Sequence, residues 1–298
     1  MTQTFREKWL EVVERKNSVL CAGLDPAEFE MGRENEGLAQ DITKEVWAFN
    51  YIKAVAPYCA AVKPNVQYWK NDHDMLDLQS LTAHAHNHDL LVIDDSKLAD
   101  IGSSNDAGMY HTQHKKIDAV TLACFAGNMQ EAAEQVKKRN LGGIHMCLMS
   151  NPEYAQKKNN LVQISSEHEQ FYSNDIVLYH QAIAHVKQYI QLAFDAQRFG
   201  LESIVVGAPS KKNHITEEEL KKVREYAGDK MLVLLPGVGA QEGEAGIIWK
   251  YFHKDHVIVN VGRDLMFPNG SVSTPGDQGK KAHYYRDMLN ELRGSKAY

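Results

Sequence analysis

Residues 90–101 read Leu90-Leu91-Val92-Ile93-Asp94-Asp95-Ser96-Lys97-Leu98-Ala99-Asp100-Ile101, an apolar run that ends abruptly in carboxylates around one ammonium. A short apolar run flanked by polar residues reads as a buried strand. Alternate residues of a strand share a face, so Asp95 and Lys97 point the same way and Asp100 falls in the loop just beyond. Flanking carboxylates favour the charged form of an ammonium. A cluster of this kind is costly to bury and adds little to stability, which suggests that it serves a task. A held ammonium can stabilise negative charge that develops on a substrate and can then donate a proton. A solvated charged turn after a strand is the competing reading of this stretch alone.

The elements that must position these residues repeat one pattern. Residues 4–15 read as a helix with Phe5, Trp9, Val12 and Val13 on one face. Eight apolar runs then read as strands, at Val19–Leu24, Cys59–Val62, Leu90–Ile93, Ala119–Cys124, Gly143–Met149, Ser203–Val206, Met231–Leu235 and Val257–Val261. A helical segment follows each of them. These include a strong helix over Ile176–Phe199, one at Thr216–Tyr226 opened by a capping box, one at Glu244–Phe252, and a last one near Gly279–Leu292. Strands rich in Val, Ile, Leu and Ala that alternate with helices imply parallel pairing buried on both faces. Eight such units in 298 residues match an α/β fold of the (β/α)8 TIM-barrel type, a single domain over 1–298 with an extra N-terminal helix. An open doubly wound sheet is the alternative, but no GxGxxG follows the first strand. Residues 153–175 are polar and irregular, and read as a loop near the barrel mouth.

Composition excludes several classes. The net charge of −6 and the lack of a basic run with interleaved aromatics argue against a nucleic-acid partner. No apolar run approaches the ~18 residues of a membrane span, and the charged, amphipathic N-terminus lacks the apolar core of a secretory signal. Cys21, Cys59, Cys124 and Cys147 are widely spaced without a CxxC. They read as reduced, buried thiols of a cytoplasmic protein. The His84-Ala85-His86-Asn87-His88 run precedes the third strand, on the side of a barrel away from any expected site, and no metal is assigned to it.

Barrel enzymes place their chemistry at the C-terminal ends of the strands. Here Asp25, Lys63, Asp95 and Lys97 end the first three strands and Ser150 ends the fifth. Glycine-rich turns, Pro236-Gly237-Val238-Gly239 and Gly262-Arg263, end the seventh and eighth, where barrels often bind phosphate through exposed backbone N–H groups. Arg263 could pair with a phosphate bidentately, with Gln241 close in sequence.

Asp95-Ser96-Lys97-Leu98-Ala99-Asp100-Ile101 resembles the DxKxxDI signature of the orotidine 5'-monophosphate decarboxylase family. Ala22-Gly23-Leu24-Asp25-Pro26, Val62-Lys63-Pro64-Asn65, Ser150-Asn151-Pro152, Pro236-Gly237-Val238-Gly239-Ala240-Gln241 and Val261-Gly262-Arg263 resemble the family's other motifs, in order and spacing, across nearly the whole chain. The resemblance implies a homodimeric barrel that needs neither metal nor organic cofactor and converts orotidine 5'-phosphate to UMP and CO2. By analogy, Asp25 holds ribose hydroxyls, Lys63 bridges ribose and the charged array, Asp95 faces the substrate carboxylate and Lys97 protonates C6. Asp100 would come from the partner subunit, and Ser104 of the same loop would touch the ribose. Ser150 would hydrogen-bond the pyrimidine, while Gln241, Arg263 and the Gly262 N–H would hold the phosphate. Magnesium-dependent sugar-phosphate decarboxylases and aldolases of the same superfamily share DxKxxD but carry a metal-binding acid at the end of the second strand. Lys63 occupies that position here, and its charge would repel a cation. A non-catalytic nucleotide-binding barrel is the remaining alternative.

Overall fold

A computed structural model of the chain describes residues 3–70, 74–172, 175–179, 183–211, 213–239 and 245–294. Helix α1 (Phe5–Lys16) is capped by Thr4, which accepts from the Glu7 N–H while the Glu7 carboxylate accepts from the Thr4 N–H. Its buried residues are Phe5, Trp9, Val12 and Val13, the face that the helical spacing predicts. Then come β1 (Leu20–Leu24), α2 (Lys44–Val55), β2 (Ala61–Pro64), α3 (Asp74–His86), β3 (Leu91–Leu98), α4 (Gly102–His114), β4 (Ala119–Leu122), α5 (Met129–Lys138) and β5 (Gly142–Leu148). Short elements follow: α6 (Tyr154–Lys157), β6 (Leu161–Gln163), β7 (Val177–Tyr179) and β8 (Ile183–Lys187). The chain continues through α7 (Gln188–Arg198), β9 (Ser203–Val206), α8 (Glu217–Ala227), β10 (Leu232–Leu235), β11 (Val257–Val261), α9 (Arg263–Met266), β12 (Pro268–Ser271) and α10 (Pro275–Gly294).

Eight parallel strands close a barrel in the hydrogen-bonded order β1-β11-β10-β9-β5-β4-β3-β2. They are the eight predicted strands. Every residue of β1, β4, β9 and β10 is buried, because helices cover the outside and packed side chains fill the inside. All four cysteines are free and buried in this core.

Three segments differ from expectation. The predicted helix over Ile176–Phe199 begins only at Gln188. Residues before it form β7 and β8, which pair antiparallel with β6 in the order β6-β8-β7. In β8, Ala184 and Val186 are buried while Ile183 and Lys187 are exposed, an alternation of period two. β-branched and aromatic residues favour this pairing, and Val186 falls four before Ile190 only by coincidence of spacing. Residues 153–175 likewise contain α6, β6 and a 3-10 segment at Ser166–Tyr172 rather than unbroken loop. The insertion leaves the barrel at the C-terminal end of β5 and is anchored on the outer helices. The Tyr172 ring lies 4.9 Å from Phe194 of α7 and 5.5 Å from Tyr226 of α8, and Asp175 accepts from Lys222 and Tyr226 at 2.8 and 2.7 Å. Finally, the helix expected at Glu244–Phe252 is a 3-10 segment, Ala245–Lys250, where Gly246 and the β-branched pair Ile247-Ile248 weaken α-helix propensity.

Candidate active site

The charged row is built from neighbouring strand ends. β3 runs past the apolar residues to Leu98, but its register with β4 shifts between Asp94 and Leu98. Within that irregularity Lys97 takes a φ of +50°, a left-handed conformation that a lysine adopts only where its surroundings impose it. The turn brings the Lys97 Nζ back onto Asp95 Oδ1, at 2.6 Å. The other oxygen, Oδ2, accepts from the Lys63 ammonium, which β2 presents from the next strand. Thr121 of β4 accepts the Lys97 N–H at 2.9 Å and donates to Asp95 Oδ1 at 3.1 Å. On the other side, Asp25 Oδ1 accepts the Asn65 N–H at 3.2 Å. β1 can close against β11 here because Gly23 has no side chain: a Cβ on it would lie 2.9 Å from the Cα of Gly262.

Burial and charge set the protonation of these groups. Burial alone pushes the Asp95 carboxyl up, but the two lysines override it and hold it at about 2. Burial disfavours the Lys63 ammonium, yet Asp95 and Asp25 together raise its pKa above the ordinary lysine value. Asp25 goes the other way: burial raises it, and the nearby Lys63 charge offsets only part of that. The row is thus an ionised Asp95 bracketed by two ammonium groups, with Asp25 behind Lys63.

These residues line one wall of a cavity of about 280 Å3 at the C-terminal end of the barrel. Met146, Val205 and Leu234 form an apolar wall, and Gly237, Gly262 and Arg263 line it as well. Arg263 is the first residue of α9, and its Nη1 lies 2.5 Å from Glu36 Oε2 in the β1–α2 connection. Gly237 has a φ of +90°, the left-handed turn for which glycine is suited.

Asp25, Lys63, Asp95, Lys97, Gly262 and Arg263 therefore meet at one cavity, as the strand-end argument expects. Ser150 is half-buried just beyond β5, its Cβ 2.7 Å from where a Cβ on Gly207 would stand. Asp100 and Ser104 are exposed and do not line this cavity; the Asp100 carboxylate accepts the neighbouring Ile101 N–H at 2.8 Å. Gln241 lies outside the described residues. Thr121, Asn260 and Glu36 escape the sequence reading. Thr121 and Asn260 sit in apolar strand runs, where only the register shows that they face the cavity, and Glu36 lies 227 residues from the arginine it pairs with.

The model of the orotidine 5'-phosphate decarboxylase / HUMPS family matches residues 18–267. The chain belongs to this family. An orotidine 5'-phosphate decarboxylase of Natronomonas pharaonis is 30% identical over 301 residues, covering 97% of this chain and 100% of the relative. That of Halobacterium salinarum is 28% identical over 286 residues, covering 94% and 96%. A Leishmania donovani OMP decarboxylase structure superposes with a TM-score of 0.71 at 18% identity, covering 98% of this chain and 99% of that one, which shows the shared barrel. The matched range spans both the DxKxxD strand and the glycine turns.

Proposed function

We infer that this chain decarboxylates orotidine 5'-phosphate to UMP and CO2, a step of pyrimidine nucleotide synthesis. The observation that carries the reading is the Lys63–Asp95–Lys97 row, with both ammonium groups on one ionised carboxylate. Loss of CO2 leaves the electron pair of the broken bond on C6, in the plane of the ring, where the π system cannot delocalise it. A preorganised cation beside C6 then does most to lower the barrier. Lys97 supplies that charge and donates its proton to C6, becoming a neutral amine that solvent reprotonates. Asp95 faces the departing carboxylate. Its ionised state, set by the two lysines, places like charges together in the ground state.

The remaining residues bind and align the substrate. Asp25 and Lys63 hold the ribose hydroxyls, Ser150 the pyrimidine, and Arg263, the Gly262 N–H and Gln241 the phosphate. The apolar wall of Met146, Val205 and Leu234 keeps water from the ring. Phosphate binding far from C6 can be used to align the ring in the transition state rather than only to tighten the ground state. No cofactor or metal enters this mechanism: at the end of β2, where magnesium-dependent relatives carry an acid, the Lys63 ammonium already occupies Asp95.

The same reading makes the protein a cytoplasmic homodimer with a shared site. Asp100 and Ser104, exposed on one subunit, complete the charged row and the ribose contacts of the other. In support, Asp100 stands beside Ile101, an apolar side chain that is 58% exposed. No helix among the described residues is long and apolar enough to cross a membrane.

The deciding experiment follows orotidylate absorbance after adding purified protein, with and without EDTA. Loss of absorbance in both arms is expected. Turnover that EDTA abolishes and Mg2+ restores replaces this reading with the magnesium-dependent one, and no turnover in either arm overturns the decarboxylase reading.

A further inference from the structure

Thr121 stands where the barrel ladder breaks. Between Asp94 and Leu98 the β3–β4 register shifts, so the Lys97 N–H has no regular strand partner. The Thr121 hydroxyl takes that role and accepts it at 2.9 Å. The proton of the same hydroxyl goes to Asp95 Oδ1, 3.1 Å away, the oxygen that also receives the Lys97 ammonium at 2.6 Å. Thr121 itself is 1% exposed, so its hydroxyl is held in place by the packing around it. One buried oxygen thus ties the backbone of Lys97 to the side chain of Asp95.

The tie matters because Lys97 is in the left-handed region, at a φ of +50°. Non-glycine residues keep that conformation only where neighbours over-determine it, and such residues gather at functional sites. A change of φ at Lys97 would move the stem of its side chain, and with it the ammonium that now stands 2.6 Å from Asp95 Oδ1.

We propose that Thr121 is a positioning residue: its hydroxyl holds Lys97 in the strained conformation that aims the ammonium at the reacting carbon. This rests on the decarboxylase reading above. Thr121→Val keeps the branched shape and removes the hydroxyl, leaving the Lys97 N–H unpaired and Asp95 Oδ1 short of one donor. Thr121→Ser keeps the hydroxyl and loses only a methyl.

The test measures kcat for orotidine 5'-phosphate and the dissociation constant of UMP in wild type and both variants. Misplacing a reacting group by about 1 Å costs on the order of a hundredfold in rate, which is the expected fall in kcat for Thr121→Val. UMP affinity should change little, and Thr121→Ser should recover most of the rate. Equal losses in the two variants, or a near-wild-type kcat for Thr121→Val, overturn the proposal. So does a UMP affinity that falls as steeply as kcat, since the hydroxyl would then bind ligand. Should Thr121→Val not fold, judged by circular dichroism, Thr121→Ser against Thr121→Ala isolates the hydroxyl by the same criteria. An inactive wild type removes the decarboxylase reading and the proposal with it, whereas an active wild type with an unimpaired Thr121→Val removes the positioning role alone.

Discussion

At Lys97 a single atom is asked to be cation and proton donor in one step. Lys97→Ala should therefore lower kcat by many orders of magnitude while UMP binding falls far less, because the lost interaction grows in the transition state. Near-normal kcat with a raised KM, read from steady-state kinetics, would reduce Lys97 to a binding group. Asp25 makes the opposite point, that a site residue can work against stability. Its folded pKa is raised by burial above the unfolded value of about 3.9. The folded state then holds the proton more tightly than the unfolded one, so stability falls as pH rises from the unfolded to the folded pKa, and the penalty is complete only above the folded pKa. Asp25→Asn, which can keep the Asn65 N–H bond, should raise Tm at pH 7 and lose the gain below about pH 4. Nucleotide affinity should fall at the same time. A Tm that drops at pH 7 in calorimetry would contradict this account of Asp25.

Between elements, the contact that stands out joins the β1–α2 connection to α9 through Glu36 and Arg263. Both side chains are substantially exposed, at 56% and 44%, and an exposed ion pair is worth about 0–1 kcal/mol, little enough for a phosphate dianion to displace. If Arg263 holds the phosphate, Arg263→Ala should lower kcat/KM for the nucleotide and leave the unphosphorylated nucleoside nearly unaffected. Glu36→Gln removes a competing anion and should lower KM for the nucleotide by up to about fivefold, the equivalent of 1 kcal/mol. In an Arg263→Ala background that effect should vanish. Steady-state kinetics with both substrates checks the set; an equal fall for nucleotide and nucleoside would give Arg263 another role.

For the molecule as a whole, the question is whether one barrel suffices. Asp100 lies past the end of β3, exposed and outside the cavity of its own chain. A two-fold axis lets each such loop complete the other subunit's site. Lys97→Ala and Asp100→Ala, each inactive alone, should then complement. In a mixed dimer one site carries both defects and the other none, so random exchange should return roughly a quarter of wild-type activity. Recovery should track subunit exchange, and hence dilution and time. Well-exchanged mixtures that stay inactive would assign Asp100 to its own subunit.

How much of this was legible in sequence depends on whether the signal is local. The eight strands were readable because each is a short apolar run cut off by polar residues, a pattern imposed by burial on both faces. The strand-end residues Asp25, Lys63, Asp95, Lys97 and Arg263 were readable because parallel barrel strands all deliver their C-termini to one end. Ile183–Lys187 reads as helix in the sequence because period-two and helical spacings overlap over so short a stretch, and only the partner strand, β6, decides between them. Thr121 and Glu36 carry no sign of their partners, Lys97 and Arg263, since nothing local marks which side chain fills a broken ladder or crosses a barrel mouth. Local patterning determined the barrel and the chemistry at its strand ends. The register of β3 on β4 and the closure of β1 against β11 decided where those groups point, because such contacts form only when segments distant in the chain are brought together.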